Sequence, residues 1–292
     1  MTADTDRAAT GVRATGLVVV CHNNLSYTRL CFDALRRFTA GPLDVALVDN
    51  GSTDGTAEWA GSLSGPDLRV RVVRNRENRG FAPAVNQGLA ALRGTDVVLL
   101  NNDVVVTRGW LARMREELHA DPKRGIVGPL SGNTSFHQRI QTPDYGDDLE
   151  KMHALAADLA VRRRGLGKDV PGLSGFCMLI RREVIEAIGG FDERFVPGFF
   201  EDDDYSLRAR RAGFTLRVVR DVYLHHFESR TFRLVVPDMA AALLANWARF
   251  KAKWGLPEDL AFRQGHACDE IPPGPFDPAR DVVPLPAGDA PK

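Results

Sequence analysis

Short apolar runs alternate with helical periods through the amino-terminal half of the chain. Residues 17–20, 45–48, 68–73 and 97–100 are short, valine-rich stretches of the kind strands carry, the first of them apolar and mostly β-branched. Between the first two, Tyr27, Leu30, Cys31, Ala34, Leu35 and Phe38 recur at helical spacing, and Gly41-Pro42 stops that helix. The turn-forming 50–55 leads into a short helix through Trp59. Pro83 stands early in a helix that ends near Leu92 and is closed by Gly94. Thr107 is the expected N-cap of a helix through His119. This alternation predicts βαβ units and a mostly parallel, Rossmann-like central sheet covered by helices.

The pattern weakens over 131–170, a polar stretch with one weak helical signal, which reads as an insertion over the site. Order returns with a strand over 175–180, helices over 182–188 and 202–212, and a strand over 214–219. An amphipathic helix over 237–254 follows, whose stripe of Trp247, Phe250 and Trp254 is expected to pack as core. The expected organisation is therefore a disordered leader over 1–14, an α/β domain over 15–232, a helical extension over 233–270 and a flexible Pro/Gly-rich tail over 271–292. Within the domain the pattern divides into about 15–130, where the alternation is regular, and about 131–232, where it is interrupted.

At 292 residues the chain can bury a full core. Lys+Arg and Asp+Glu both total 38, so no global charge draws it to nucleic acid or an anionic membrane. The basic run Arg162-Arg163-Arg164 reads as a solvated surface feature. None of the four cysteines forms a C-x-x-C pair, which argues against zinc and for a reducing compartment. The start of the chain lacks the apolar run of a signal peptide, and no stretch has the length and apolarity of a membrane span. A cytoplasmic location is the expectation, with peripheral membrane contact left open.

Chemistry concentrates at two acidic clusters. Asn101-Asn102-Asp103 follows the apolar run 97–100, and Glu201-Asp202-Asp203-Asp204 follows Phe199-Phe200. Carboxylates beside buried segments need pairing, hydrogen bonds or a metal. A strand-end carboxylate can hold a divalent cation, and a second cluster can supply a base. No G-x-x-x-x-G-K-[ST], H-E-x-x-H or dinucleotide glycine fingerprint is present; the first strand-to-helix loop is Cys21-His22-Asn23-Asn24. Asp204 stands four residues before Arg208, at the spacing of a helical ion pair.

The motifs run in a fixed order. They begin with Asp49-Asn50-Gly51-Ser52-Thr53-Asp54-Gly55, then Asn78-Arg79-Gly80-Phe81-Ala82 with Ala84, Asn86 and Gly88, then Asn101-Asn102-Asp103. Gly175-Phe176-Cys177, Gly190-Phe191-Asp192-Glu193 and Phe200-Glu201-Asp202-Asp203-Asp204 with Arg208 come next, and His225-His226-Phe227-Glu228-Ser229-Arg230-Thr231-Phe232 closes the series. In this order and spacing the chain resembles the family 2 glycosyltransferases, inverting enzymes of the GT-A fold, over about residues 16–232.

The resemblance implies transfer of a sugar from a UDP- or dTDP-sugar to an acceptor hydroxyl or other nucleophile, with Mn²⁺ or Mg²⁺. It implies that Asp49 accepts from the ring N–H of a pyrimidine; read from its neighbours alone, Asp49 is a turn-capping residue. It implies nucleotide contacts from Asn23, Asn78, Arg79, Gly80, Asn86 and Asn101, with Asn102 shaping the ribose side. Asp103 takes the last position of the family's D-x-D metal motif, with Asn101 in place of the first Asp. His226 or His225 is the implied metal-side histidine, and Glu228 stands where the family has Gly. Glu201-Asp202 matches the acidic pair whose second member is the general base. Two rivals remain: a GT-A-like nucleotidyltransferase, which should carry a glycine-rich basic loop after the first strand, and a non-catalytic nucleotide-sugar-binding protein. Donor sugar, acceptor, pathway and oligomeric state are not legible in the sequence.

Overall fold

The computed structural model describes residues 15–63, 68–134, 137–146, 148–227, 238–262, 267, 269 and 271–287. The expected leader, the 228–232 motif end and the boundary at 232/233 lie outside the described residues.

The amino-terminal half follows the predicted alternation: β1 (Thr15–Cys21), α1 (Leu25–Phe38), β2 (Leu43–Asn50), α2 (Thr56–Gly61), β3 (Leu68–Asn75), α3 (Phe81–Ala91) and β4 (Asp96–Asn101). There follow β5 (Val104–Val105), α4 (Trp110–His119), β6 (Arg124–Leu130), α5 (Leu149–Arg162), β7 (Gly167–Val170) and β8 (Cys177–Ile180). The chain continues through α6 (Arg182–Ile188), α7 (Glu201–Arg211), β9 (Thr215–Tyr223), β10 (His225–His226) and α8 (Met239–Trp254).

Eight strands form one sheet in the order β3-β2-β1-β4-β8-β6-β9-β7. The first four are mutually parallel, and β8 enters antiparallel between β4 and β6. Val18, Val45, Leu47 and Leu99 are fully buried, as helices on both faces require. The chain winds outward from β1 to β3 and returns to place β4 on the other side of β1. The carboxyl ends of β1, β2 and β4 therefore open on one crevice at the reversal of strand order.

Several expectations are corrected. Thr107 does not cap α4: Gly109 does so at φ 75°, and the Thr107 hydroxyl donates to the Tyr223 carbonyl. The 131–170 stretch holds a full helix, α5, capped by Asp148, and an edge strand, β7. The strand β6, absent from the pattern reading, begins with Arg-Gly and contains a proline, so its sequence lacks a strand signal. Nor is the Pro/Gly-rich end a free tail over 271–287. Val283 pairs with Gly189, and the Gly190 amide donates to the Val283 carbonyl at 2.8 Å. Gly189 has φ +70°, and a Cβ there would stand 1.8 Å from that carbonyl oxygen, so only glycine permits the approach. Buried Asp281 accepts from Arg211 at 2.8 Å. These partners lie far away in sequence, where composition gives no hint of them.

The aromatic stripe of α8 is core, as expected. Phe195, Phe200, Leu207, Trp247 and Phe250 form a second apolar cluster that seats α8 against α7. Asp204 and Arg208 pair at 2.7 Å on α7 with both side chains fully buried, and Lys253 of α8 reaches Asp204 at 2.6 Å and Asp192 at 2.8 Å. Against the opposing effect of burial, Arg194 and Lys253 hold the Asp192 carboxyl far below the usual carboxylate range.

Candidate active site

The nucleotide side of the crevice is built by loops that lock onto one another. Asn23 and Asn24 adopt left-handed backbone (φ 55° and 59°) after β1. The Asn23 amide donates to Ser52 Oγ, and its Oδ1 accepts from the Thr53 amide at 2.8 Å, tying the first loop to the second. Asp49 is 3% exposed and its Oδ1 accepts from the Ser52 amide at 3.1 Å, so it does cap the turn after β2. Asn50, to which the sequence reading gave no role, is the hub. Its Nδ2 donates to Asn78 Oδ1 and the Gly80 carbonyl, and its Oδ1 accepts from the Arg79 amide and Asn75 Nδ2. Asn78, Arg79 and Gly80 are thereby held at the crevice. Gly80 has φ +89°, and a Cβ would meet Val196 Cγ1 at 2.6 Å.

Asn86 does not face this crevice. It is fully buried; its Nδ2 donates to the Phe191 carbonyl and Glu193 Oε1, and its Oδ1 accepts from the Phe191 amide. With its amide engaged on both sides it is a clamp between α3 and the 190–193 loop, which corrects its assignment as a nucleotide contact.

The small sheet β5–β10 creates the centre of the site. Pairing of His226 with Val104 sets it beside the residue before β5, which is Asp103. His226 Nε2 lies 3.2 Å from Asp103 Oδ1 and 3.4 Å from Asn101 Nδ2. His226 Nδ1 stands 2.9 Å from the Asn133 carbonyl, which can only accept, so Nδ1 carries a hydrogen; when the ring is neutral, Nε2 then presents its lone pair to the carboxylate. Asn133 also donates from its amide to the His226 carbonyl at 3.0 Å. Asn133 belongs to the polar stretch without periodicity, and no sequence signal marked it. His225, one residue earlier on a strand, points the other way. Its Nδ1 meets the Tyr145 hydroxyl at 2.6 Å, which in turn meets the Tyr223 hydroxyl. Of the two histidines, His226 is therefore the one that faces Asp103.

Nε2 and Oδ1 at 3.2 Å attract only with a proton or a metal ion between them. Ligands at right angles, each about 2.1 Å from a small divalent ion, stand about 3 Å apart. The Asp103–His226 pair fits such an ion, with the His226 Nδ1–H held by a carbonyl as metal-binding histidines commonly are. Among the described residues no group of three His, Cys, Asp or Glu side chains gathers, so a diphosphate and water would complete the shell. Asn102 turns inward and donates to Thr28 Oγ1 at 2.9 Å, bracing the loop from behind.

The second acidic cluster opens α7. Phe199 and Phe200 precede it with φ 78° and 70°, a pair of left-handed non-glycine residues costing about 1–3 kcal/mol each. Burial of Phe200 against Trp247, Phe250 and Phe262 offsets that strain. The sharp turn brings Asp202 to the crevice, where Oδ2 accepts from the Gly175 amide at 3.0 Å and Oδ1 from the Asp203 amide at 2.9 Å. Glu201 is buried instead; desolvation first, and the neighbouring Asp202 charge second, push its carboxyl well above the usual range. Its Oε2 has no hydrogen-bond partner among the described residues.

One dipeptide joins the halves. Gly175 holds Asp202, while the next residue, Phe176, stacks on His226 (centroids 5.1 Å apart, 17° between planes) and its carbonyl accepts from the Asn101 amide at 2.9 Å. A strand-end carboxylate–imidazole pair and an oriented second carboxylate thus face one crevice.

The chain matches the model of glycosyl transferase family 2 over residues 17–189. It is 30% identical over 261 residues to an N-acetylglucosaminyl-diphospho-decaprenol L-rhamnosyltransferase of Mycobacterium tuberculosis, covering 77% of this chain and 83% of that protein. It is 29% identical over 230 residues to the protein y4gI of Sinorhizobium fredii, covering 75% of this chain but 25% of that longer protein. A mannosyltransferase from Pyrobaculum calidifontis, solved with GDP-Man and Mn²⁺, aligns with a TM-score of 0.56 at 22% identity, over 85% of this chain and 73% of that one. GalNAc-T7, solved with UDP, GalNAc and Mn²⁺, aligns with a TM-score of 0.61 at 15% identity, over 84% and 49%. Such identities speak to the fold alone, and that fold is GT-A. The order of motifs, the sheet and the family match converge: the chain belongs to glycosyl transferase family 2 and is a glycosyltransferase.

Proposed function

We propose that the enzyme transfers a sugar with inversion from a UDP- or dTDP-sugar to an acceptor hydroxyl or other nucleophile, with Mn²⁺ or Mg²⁺ bound. The observation that carries this reading is the Gly175-Phe176 bridge, which sets the Asp202 carboxylate and the Asp103–His226 pair on the same crevice. Asp103 and His226 Nε2 would hold the cation, and Asn101 would stand beside it. A bound divalent ion neutralises charge on the departing diphosphate. Asp49 accepts from the pyrimidine N–H, and the loop 78–80, fixed by Asn50, walls the nucleotide. Asp202, oriented by two backbone amides, takes the acceptor's proton as the acceptor attacks the anomeric carbon. Burial and the Asp202 charge push the neighbouring Glu201 carboxyl up, which disfavours a second negative charge beside the base. The relative from M. tuberculosis, an L-rhamnosyltransferase by name, supports glycosyl transfer as the reaction. The chain carries no helix, among its described residues, long and apolar enough to cross a membrane.

The test is a thermal-shift panel of UDP-, dTDP- and GDP-sugars with and without Mn²⁺, followed by assay of nucleotide release. Ligands that bind the folded state raise its midpoint. UDP or dTDP donors should raise it most. A larger shift with the GDP donor overturns the pyrimidine assignment, and shifts without any turnover favour a binding protein.

Four variants sharpen the reading. Asp103→Ala and His226→Ala should each weaken Mn²⁺-dependent donor binding by about tenfold or more and abolish most transfer, whereas His225→Ala should leave the metal response intact. A folded His226→Ala protein with the parental Mn²⁺ titration would remove that residue from the site. Asp49→Ala should lose affinity for UDP or dTDP by about tenfold, the worth of one hydrogen bond to a charged acceptor, without changing the Mn²⁺ requirement. Equal loss toward purine and pyrimidine diphosphates would leave Asp49 as a turn cap only.

A further inference from the structure

Behind the β5–β10 pair lies a second concavity. A cavity of about 560 Å³ opens between the end of α1, the start of α4, α5 and β9. Thr107 and Val222 in its wall are each four residues from the Asp103–His226 pair, at most about 13 Å away at the rise of extended chain. Its charges are uneven. Arg113 is engaged by Asp221 at 2.7 Å and Glu116 at 3.3 Å, and Arg37 lies 4.0 Å from Glu150. Arg108 and Arg164, also in the wall, have no side-chain partner among the described residues.

Asp221 supplies the opposite polarity. Its side chain is 2% exposed, and Oδ2 accepts from Arg113 Nε and the Gly165 amide, both at 2.7 Å. Oδ1 has no hydrogen-bond partner among the described residues, a costly state for a buried acceptor. Small Ala156, Ala157 and Ala160 leave the space open on the α5 side.

We infer that this cavity is a second binding site, for a phosphate ester that also bears a hydroxyl group. The Arg108 and Arg164 guanidiniums take the phosphate, and Asp221 Oδ1 accepts from the hydroxyl. A soluble sugar phosphate and a glycerophospholipid headgroup share this chemistry. The second source is raised by Val161 and Leu166, which flank Arg164 in sequence and are 78% and 51% exposed. The site is separate from the donor crevice and independent of the donor's identity.

Calorimetric titration of the full chain with glucose 1-phosphate, beside sedimentation with phosphatidylcholine vesicles with and without phosphatidylglycerol, distinguishes the sources. Binding of glucose 1-phosphate supports a soluble ligand. Binding only to phosphatidylglycerol-containing vesicles supports a headgroup. In either case Arg108→Glu and Arg164→Glu should each weaken binding by about tenfold or more. Ala157→Trp, a change at an exposed helix position, should block it while keeping the unfolding midpoint. Asp103→Ala should leave it intact. The inference is overturned if neither probe binds, if the arginine and Ala157 variants bind as the parent does, or if Asp103→Ala abolishes binding.

Discussion

Asp202→Asn is expected to reduce transfer by roughly 10²–10⁴-fold, the usual worth of a positioned general base, while donor affinity survives. In barrier terms that is about 2.7–5.4 kcal/mol. The geometry adds a second consequence. Both carboxylate oxygens accept from backbone amides, those of Gly175 and Asp203. An asparagine offers one oxygen and one NH₂, so one of those amides must face a donor. That mismatch should lower the unfolding free energy by about 1–3 kcal/mol, which denaturant titration reads apart from catalysis. The decisive comparison is single-turnover transfer beside donor binding in the same folded variant. Turnover at the parental rate would remove Asp202 from the base role.

Two residues along the same helix, Asp204→Asn should do the opposite, acting on stability and little on the chemical step. Asp204 is fully buried and receives Arg208 Nε at 2.7 Å and Lys253 Nζ at 2.6 Å. Arg208 is held further by the carbonyls of Ile188 and Gly190, and Lys253 by Asp192. Neutralising Asp204 leaves Lys253 with Asp192 alone and buried Arg208 with carbonyls but no carboxylate among the described residues. Breaking a buried pair in this way costs about 3–5 kcal/mol, a large part of the 5–15 kcal/mol typical of a folded domain. The expected readout is a lower denaturation midpoint with an unchanged slope, and transfer per folded molecule near that of the parent. A stable Asp204→Asn protein without transfer, alongside an active Asp202→Asn, would mean that the base is Asp204.

The contrast between these neighbours shows where sequence reasoning reaches. Both acids are visible in the chain, and the i,i+4 relation of Asp204 to Arg208 is a local helical distance, so that pair was legible. Lys253 joins it from α8, about fifty residues on, and only the packing of Trp247 and Phe250 against Phe200 brings it there. The buried state of Glu201 beside half-buried Asp202 likewise depends on a left-handed turn at Phe199 and Phe200, which aromatic residues do not advertise.

By itself the sequence determined the alternation of β1 to β4 with their helices, and with it the crevice at their carboxyl ends. Those signals are periodic and local: apolar runs, helical spacing and turn residues act within a few positions of one another. It also carried the ordered motifs by which the family is recognised. Only the tertiary structure decided which histidine joins Asp103. The choice rests on a two-residue strand paired with β5 and on Asn133 holding His226 Nδ1, contacts about 90 to 120 residues long that leave no period in the chain. It also turned Asn86 into a clamp on Phe191 and folded 271–287 back onto Gly189. In each case the deciding term is a hydrogen bond or an approach between distant segments, whose energy depends on where the whole sheet places them and not on the residues beside them.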